Sequence, residues 1–401
     1  MMHLFVNFLA ASAGGGLTYL RNVLPRFAGR SGLHVTAALS SGIREEFCGL
    51  ANVDFVEFDA SLGRRFWYEQ SALPRIIRQC GAQVLLSAGN FALRRSPVPQ
   101  ILLSRNSIYV SPDFDRDLRA RGEYRAWLEN RLRGLLAKQS IKWADITIAP
   151  SEAFAAELRQ WTGRPVVSIH HGFDRESFIR DSGPLAPEVV ARLRAEAGSF
   201  KLLFVSHYNY YRNFETLIRA LPQIRKLQSG PPIKLLLTCR LAAGENPGSY
   251  ETASAAALIR NLDVSDMVVE LGSIPYRHLH HVYAKADLYV TPAYTETFAH
   301  PLVEAMASGL PVIASDLPVH REICGDAATY FPKFDANVLA QTIIRVSQDP
   351  DMMRRQSNLG RERAQQFSWD IHVEKILEVC DSLVRIPSSG LSGKFLVSDA
   401  S

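Results

Sequence analysis

No apolar run in these 401 residues approaches the ~20 needed to cross a bilayer. Cysteine is scarce. Cys48, Cys80, Cys239, Cys324 and Cys380 are scattered, odd in number and without a C-x-x-C pair, which argues against a disulfide frame or a zinc site and for a reducing compartment. Neither sign of charge dominates. The chain has 45 basic and 40 acidic residues, net +5, a surplus compatible with anionic ligands or an anionic membrane surface but far too weak to imply nucleic-acid binding. The opening MMHLFVNFLA lacks the basic flank of a secretion leader and reads as a buried first strand, so a cytoplasmic location is expected, with the inner face of the membrane as a peripheral site. No internal repeat, Walker A or G-x-G-x-x-G is present.

What is present is ordinary globular composition, 47% hydrophobic and 21% charged, at a length suited to two domains of ~100–200 residues each. Short apolar runs alternate with helical periodicity. Strand candidates are His3–Leu9, Leu33–Leu39, Val53–Phe58, Val84–Ser87, Gln100–Leu103, Asp145–Ala149, Lys201–Ser206, Ile233–Leu237, Met267–Leu271, Ala286–Val290, Val312–Ala314 and Ala328–Phe331. Helix candidates include Leu17–Leu24, Trp67–Cys80, Ser151–Gln160, Phe214–Leu221 and Tyr276–Ala286. Such βα alternation implies an α/β protein with parallel, doubly wound sheets.

The densest chemistry lies in Thr291–Asp316, TPAYTETFAHPLVEAMASGLPVIASD. Pro301 suits the first position of a helix, Gly309 its end, and Pro311 bars its return. The loop-to-helix joint offers free N–H groups around Phe298 to Val303, and the helix dipole favours negative charge there by ~0.3–1 kcal/mol. This would hold a phosphate without a lysine. Glu296 and Glu304 bracket the joint, and carboxylates accept hydrogen bonds from sugar hydroxyls. An acidic residue in a first turn is also what the dipole alone selects. The reading is a diphosphate on the helix start, with hydroxylated rings on either side.

The string Glu-x-Phe-x-x-Pro-Leu-x-Glu-Ala-Met-Ala-Ser-Gly-Leu-Pro-Val-Ile-Ala-Ser-Asp resembles the E-x7-E signature of the GT4-type retaining glycosyltransferases of GT-B fold. The resemblance implies two Rossmann-like domains facing across a cleft: 1–180 on the acceptor side, a linker 181–198, a donor domain 199–366, a helix 367–386 crossing back, and a tail 387–401 expected to be disordered. It places Glu296 by the transferred sugar and Glu304 on the ribose. It gives donor-binding roles to Phe298, Ala299, His300, Pro301, Leu302 and Val303, and to Gly15 and Gly16 of the Gly14-Gly-Gly16 loop. Ser273 and Ile274 of the Gly272-Ser-Ile-Pro loop would meet the base. Relatives carry Gly-Arg and then a Lys on the diphosphate, where this chain has His207 and Arg212. Ala299 stands where Gly is usual, and His171, on the acceptor side by the resemblance, where the interdomain segment usually has Asn.

Arg105 and Asn106 follow a strand and face the acceptor by the resemblance. Arg105 would bind an acceptor phosphate or carboxylate, or is an ordinary loop cation. Asp113-Phe-Asp115-Arg-Asp117 superficially matches a D-x-D metal motif and is rejected. His278, His280 and His281 lack a carboxylate or thiol at ligand spacing and read as surface residues. Along Asp115–Lys142, cations interleave with Tyr124, Trp127, Leu128, Leu132, Leu135 and Leu136. That pattern is an apolar stripe packed on the sheet, or a contact with anionic lipid. Tyr208, Tyr210 and Tyr211 are expected to line the cleft.

The expected activity is metal-independent transfer of a sugar, a hexose by preference, from a nucleotide diphosphate sugar to a saccharide or lipid-linked acceptor of cell-surface polysaccharide synthesis, with retention. No cofactor and no nucleic-acid partner are implied. The alternatives are a non-catalytic nucleotide-sugar-binding subunit, a phosphorylase or an epimerase.

Overall fold

The computed structural model describes residues 1–11, 14–59, 62–180, 183–246 and 250–385. The tail 387–401, Ser12 and Ala13 of the glycine loop, and the first two linker residues lie outside these.

Two wholly parallel sheets organise the chain. The first runs β3-β2-β1-β4-β5-β6-β7, from β1 (Met2–Asn7), β2 (Leu33–Leu39), β3 (Val53–Glu57), β4 (Val84–Ser87), β5 (Gln100–Leu103), β6 (Ile146–Ala149) and β7 (Val167–Ser168). The second runs β10-β9-β8-β11-β12-β13, from β8 (Phe200–Phe204), β9 (Ile233–Leu237), β10 (Val268–Glu270), β11 (Leu288–Thr291), β12 (Val312–Ser315) and β13 (Ala328–Phe331). Central strands such as Val84-Leu-Leu-Ser87 are buried throughout, as expected where helices cover both faces. In each sheet the order reverses once, between β1 and β4 and between β8 and β11. Ligands of doubly wound sheets collect at the carboxyl ends of the strands flanking that reversal.

The final helix, Trp369–Arg385, buries Trp369, Val373, Ile376, Cys380 and Leu383 in the core of the first sheet. The chain passes between halves at Gly172. A Cβ there would stand 2.0 Å from the backbone nitrogen of Trp369, and Phe173 N–H donates to the Phe367 carbonyl at 3.1 Å.

Three sequence expectations change. The stretch 181–198 is not an unstructured linker: Pro187–Ala195 is a helix that buries Val189 and Leu193, with Pro187 at its start. The 67–80 helix is two, Leu62–Ser71 and Leu73–Gln79. The basic stretch 115–142 is also broken, at Gly122 with φ 75°, into Pro112–Ala120 and Tyr124–Trp143. The shorter helix sets Phe114 and Leu118 into the core of the second half. The longer one does not lay its whole apolar stripe on the sheet. Its buried residues are Gly134, Ala137, Ser140 and Ile141, while Leu128, Leu132 and Leu135 are exposed.

Candidate active site

Loops at the two reversal points meet in a cleft of about 600 Å³. The first half supplies Gly14, Gly15, Gly16, Arg105 and Asn106; the second supplies His207, Arg212, Ile274, Glu296, Phe298, Ala299, His300, Pro301 and Glu304. His171, from the segment between them, closes the base. Ser273 lines an adjoining hollow of about 510 Å³, which shares Ile274 with the cleft.

The joint after β11 is built on an unusual residue. Ala299 holds φ 63°, ψ 62°, a left-handed conformation that costs a non-glycine residue ~1–2 kcal/mol. This turn leads directly into the helix His300–Ala307, and the Ala299 carbonyl accepts from Leu302 N–H at 2.9 Å. Leu302 N–H is therefore committed, and the side chains of Leu302 and Val303 lie in the core, so neither residue lines the cleft. The N–H groups of Phe298, Ala299 and His300 make no hydrogen bond to another described residue.

Glu304 points from that helix into a buried spot, where the Tyr283 hydroxyl donates to it at 2.9 Å. Burial pushes its carboxyl up to about 7, against the Tyr283 hydrogen bond that lowers it. Tyr283 carried no sequence signal, because its spacing to Glu304 follows from packing.

Arg212 sits at the end of a short turn, Tyr210–Arg212, followed by Asn213 in the left-handed region at φ 57°. Asn213 is tied by its side-chain N–H to the Pro292 carbonyl at 2.9 Å, which aims Arg212 at the joint. There its guanidinium donates to the Glu296 carboxylate. The sequence assigned the two separate duties; the structure makes them a pair. Arg212 Nε is buried without a partner. His207, exposed on the cleft wall, has its imidazole pKa lowered by partial burial and then by the Arg212 charge. Of the three tyrosines only Tyr211 lines the cleft. Tyr208 and Tyr210 are buried, their hydroxyls donating to Glu215 at 2.8 Å and Glu123 at 2.9 Å.

Arg105 lines the cleft and is partly committed to the main chain. Its guanidinium donates to the carbonyls of Gly15 at 3.2 Å and Ala88 at 2.8 Å and lies over the Tyr19 ring. It forms no ion pair with a described carboxylate, and its Nε is buried without a hydrogen-bond partner. Asn106 uses its side-chain oxygen to cap the Ser107–Tyr109 turn, accepting from Ile108 N–H at 3.3 Å.

An aromatic layer that sequence reasoning missed joins four chain segments at the base. His171 stacks on His300 with centroids 5.2 Å apart, and Trp369 stacks on His300 at 5.9 Å. His372 Nδ1 donates to the His170 carbonyl at 2.7 Å, which leaves Nε2 to accept from the Tyr19 hydroxyl at 3.0 Å. Burial, then neighbouring positive charge, holds His171 well below the usual imidazole range. Burial takes His300 and His372 down to about 4. Asp113, Asp115 and Asp117 are spent on Lys333 and Arg116, on Arg119, and on Arg121 with Tyr294, which accounts for the D-x-D pattern without a metal.

Two facing Rossmann-like sheets with a cleft between their reversal points define the GT-B class. Solved structures agree in fold: sucrose-phosphate synthase from Thermosynechococcus elongatus has a TM-score of 0.74 at 22% identity, covering 96% of this chain and 99% of that one. Anabaena HepE in complex with UDP has a TM-score of 0.68 at 20% identity, covering 96% and 100%. The "Glycosyltransferase Family 4" model matches residues 13–177, and "Glycosyl transferases group 1" matches 187–363. The chain belongs to the GT4 family of glycosyltransferases.

It is similar to the D-inositol 3-phosphate glycosyltransferase of Thermobifida fusca, 27% identical over 62% of this chain and 57% of that one. It is also similar to the O-antigen chain mannosyltransferase B of Escherichia coli, 33% identical over 25% of this chain and 26% of that one. The matches thus span little more than half the length of these relatives, or less.

Proposed function

We propose that the chain moves a hexose from a nucleotide diphosphate sugar to a saccharide or lipid-linked acceptor, with retention and without a metal. The observation that carries this reading is the left-handed turn at Ala299. It leaves the N–H groups of Phe298, Ala299 and His300 without a described partner in a cleft that Gly14–Gly16 also line, with the Arg212–Glu296 pair in the same cleft. The diphosphate lies between these donors and the glycine loop. The ribose hydroxyls donate to Glu304, and the base occupies the hollow at Ser273 and Ile274.

In the reaction the bond from the anomeric carbon to the diphosphate oxygen breaks, and the diphosphate leaves with the electron pair. Arg212 and the turn's N–H groups stabilise that charge. Neutral His207 offers one hydrogen bond. The acceptor oxygen bonds to the anomeric carbon on the face the diphosphate leaves, and its proton passes to the departing phosphate. Glu296 positions the sugar. The name of one relative, an O-antigen chain mannosyltransferase, supports a hexosyl donor and a saccharide acceptor.

The Arg212–Glu296 contact also favours a second reading, a subunit that binds the nucleotide sugar without turning it over. A panel of nucleotide sugars, assayed for transfer and for slow donor hydrolysis, separates the two. Turnover of one donor supports the transferase, and tight binding with no turnover of any supports the subunit.

A further inference from the structure

We propose that the outward face of the Tyr124–Trp143 helix docks on a bilayer containing anionic lipid. This helix is apolar on two sides. Its inner side buries Gly134, Ala137 and Ile141. On the outer side Tyr124 is 64% exposed, Leu128 52%, Leu132 58% and Leu135 65%. Steps of four, four and three residues keep these side chains in one stripe, and 1.5 Å per residue makes it ~16 Å long. Scattered exposed leucines are normal, but four large apolar groups in one row mark an interaction surface.

Cations border the row. Arg125 is 94% exposed, and Arg131, Lys138 and Lys142 lie along the same side. Two acidic residues stand among them: Glu129, held by Arg125 at 3.2 Å and Arg133 at 3.4 Å, and Asp115, 3.7 Å from Arg131. The surface is an apolar ridge along one helix face with long cationic stems beside it. That shape suits a lipid interface, where leucines enter the acyl boundary and cations meet headgroup phosphates. A second copy would set this net-basic border against itself across a two-fold axis.

The ridge stands one layer from the cleft. Asn130 donates to the Ile108 carbonyl at 3.0 Å, and Asn106, Ser107 and Ile108 line the cleft. Docking here brings the acceptor side to the membrane, where a lipid-carried acceptor is presented; this last point rests on the transferase reading, whereas the docking does not.

The test is co-sedimentation of the full chain, without substrates, with vesicles of phosphatidylcholine alone or mixed with phosphatidylglycerol. Partition onto the mixed vesicles should be tighter by about tenfold or more and should weaken in salt. The variant Leu128→Ser/Leu132→Ser/Leu135→Ser should lose about tenfold or more, with an unchanged melting curve and unchanged donor hydrolysis in solution. Should that variant fail to fold, Arg125→Glu/Lys142→Glu should still abolish the preference for anionic vesicles. Equal partition onto both vesicle types, or wild-type binding by the variants, overturns the proposal. So does a wild-type dimer in sedimentation that the leucine variant dissolves, since the ridge would then be a self-contact.

Discussion

Glu304 has a pH signature that distinguishes a ligand-binding carboxylate from a filler of the core. Its carboxyl titrates near 7 rather than the ordinary 4.5, so the folded state holds the proton more tightly than the unfolded chain. The stabilisation is complete below pH 4.5 and is lost as pH rises through 7, roughly 3 kcal/mol in all. Ribose hydroxyls need the ionised form. Nucleotide binding should therefore release a proton near pH 6.5 and tighten towards pH 8, as read by calorimetry in two buffers of different ionisation enthalpy. Glu304→Gln should lose both effects, and unchanged affinity in that variant removes the residue from the ribose. Ala299→Gly should raise stability by about 1 kcal/mol, the relief of the left-handed strain outweighing the added chain entropy; chemical denaturation measures it. Arg212→Ala should cut kcat ~100-fold, and a wild-type rate would remove it from the diphosphate.

At the scale of elements, the halves are tied by helix ends as much as by packing. Glu322, from the second half, accepts from the N–H groups of Glu152 and Ala153 at 2.7 and 2.6 Å, at the start of the helix Glu152–Thr162 in the first. Burial opposes its ionised form, yet those bonds and the one from His170 at 2.6 Å hold its carboxyl below the usual range. Glu322→Ala should cost about 1–2 kcal/mol, measured by denaturation. The sequence could not show this bond, since nothing local to Glu322 points 170 residues back. What it did show was set by short-range physics. Ile233–Leu237 and Ala328–Phe331 have the bounds read from their apolar runs, and the joint after β11 was legible from Pro301 and the two glutamates. Misreadings fell where tertiary partners decide. Tyr208 and Tyr210 look like loop residues until Glu215 and Glu123 receive their hydroxyls, and Gly122 breaks a stretch whose periodicity ran on.

Across the whole molecule, four buried histidines share one consequence. Burial, the leading cause for each, depresses His171 well below the imidazole range and takes His300, His320 and His372 to about 4. Each contributes stability that is present above pH 6.5 and lost as pH falls, through about 4 for His300, His320 and His372, the reverse of Glu304. Four groups outweigh one, so the melting temperature should fall steadily below pH 6.5. In His300→Gln the slope should drop by about one proton. A flat profile would mean these rings protonate without strain.

The helix Pro112–Ala120 belongs to the first half by sequence but to the second by its core contacts through Phe114 and Leu118. A chimera that exchanges the carboxyl-terminal half for a relative's, cut near residue 180, would part those two side chains from the pocket evolved for them. Grafting donor specificity between members of the family therefore requires transplanting residues 112–120 with the distant half, as a discontinuous unit.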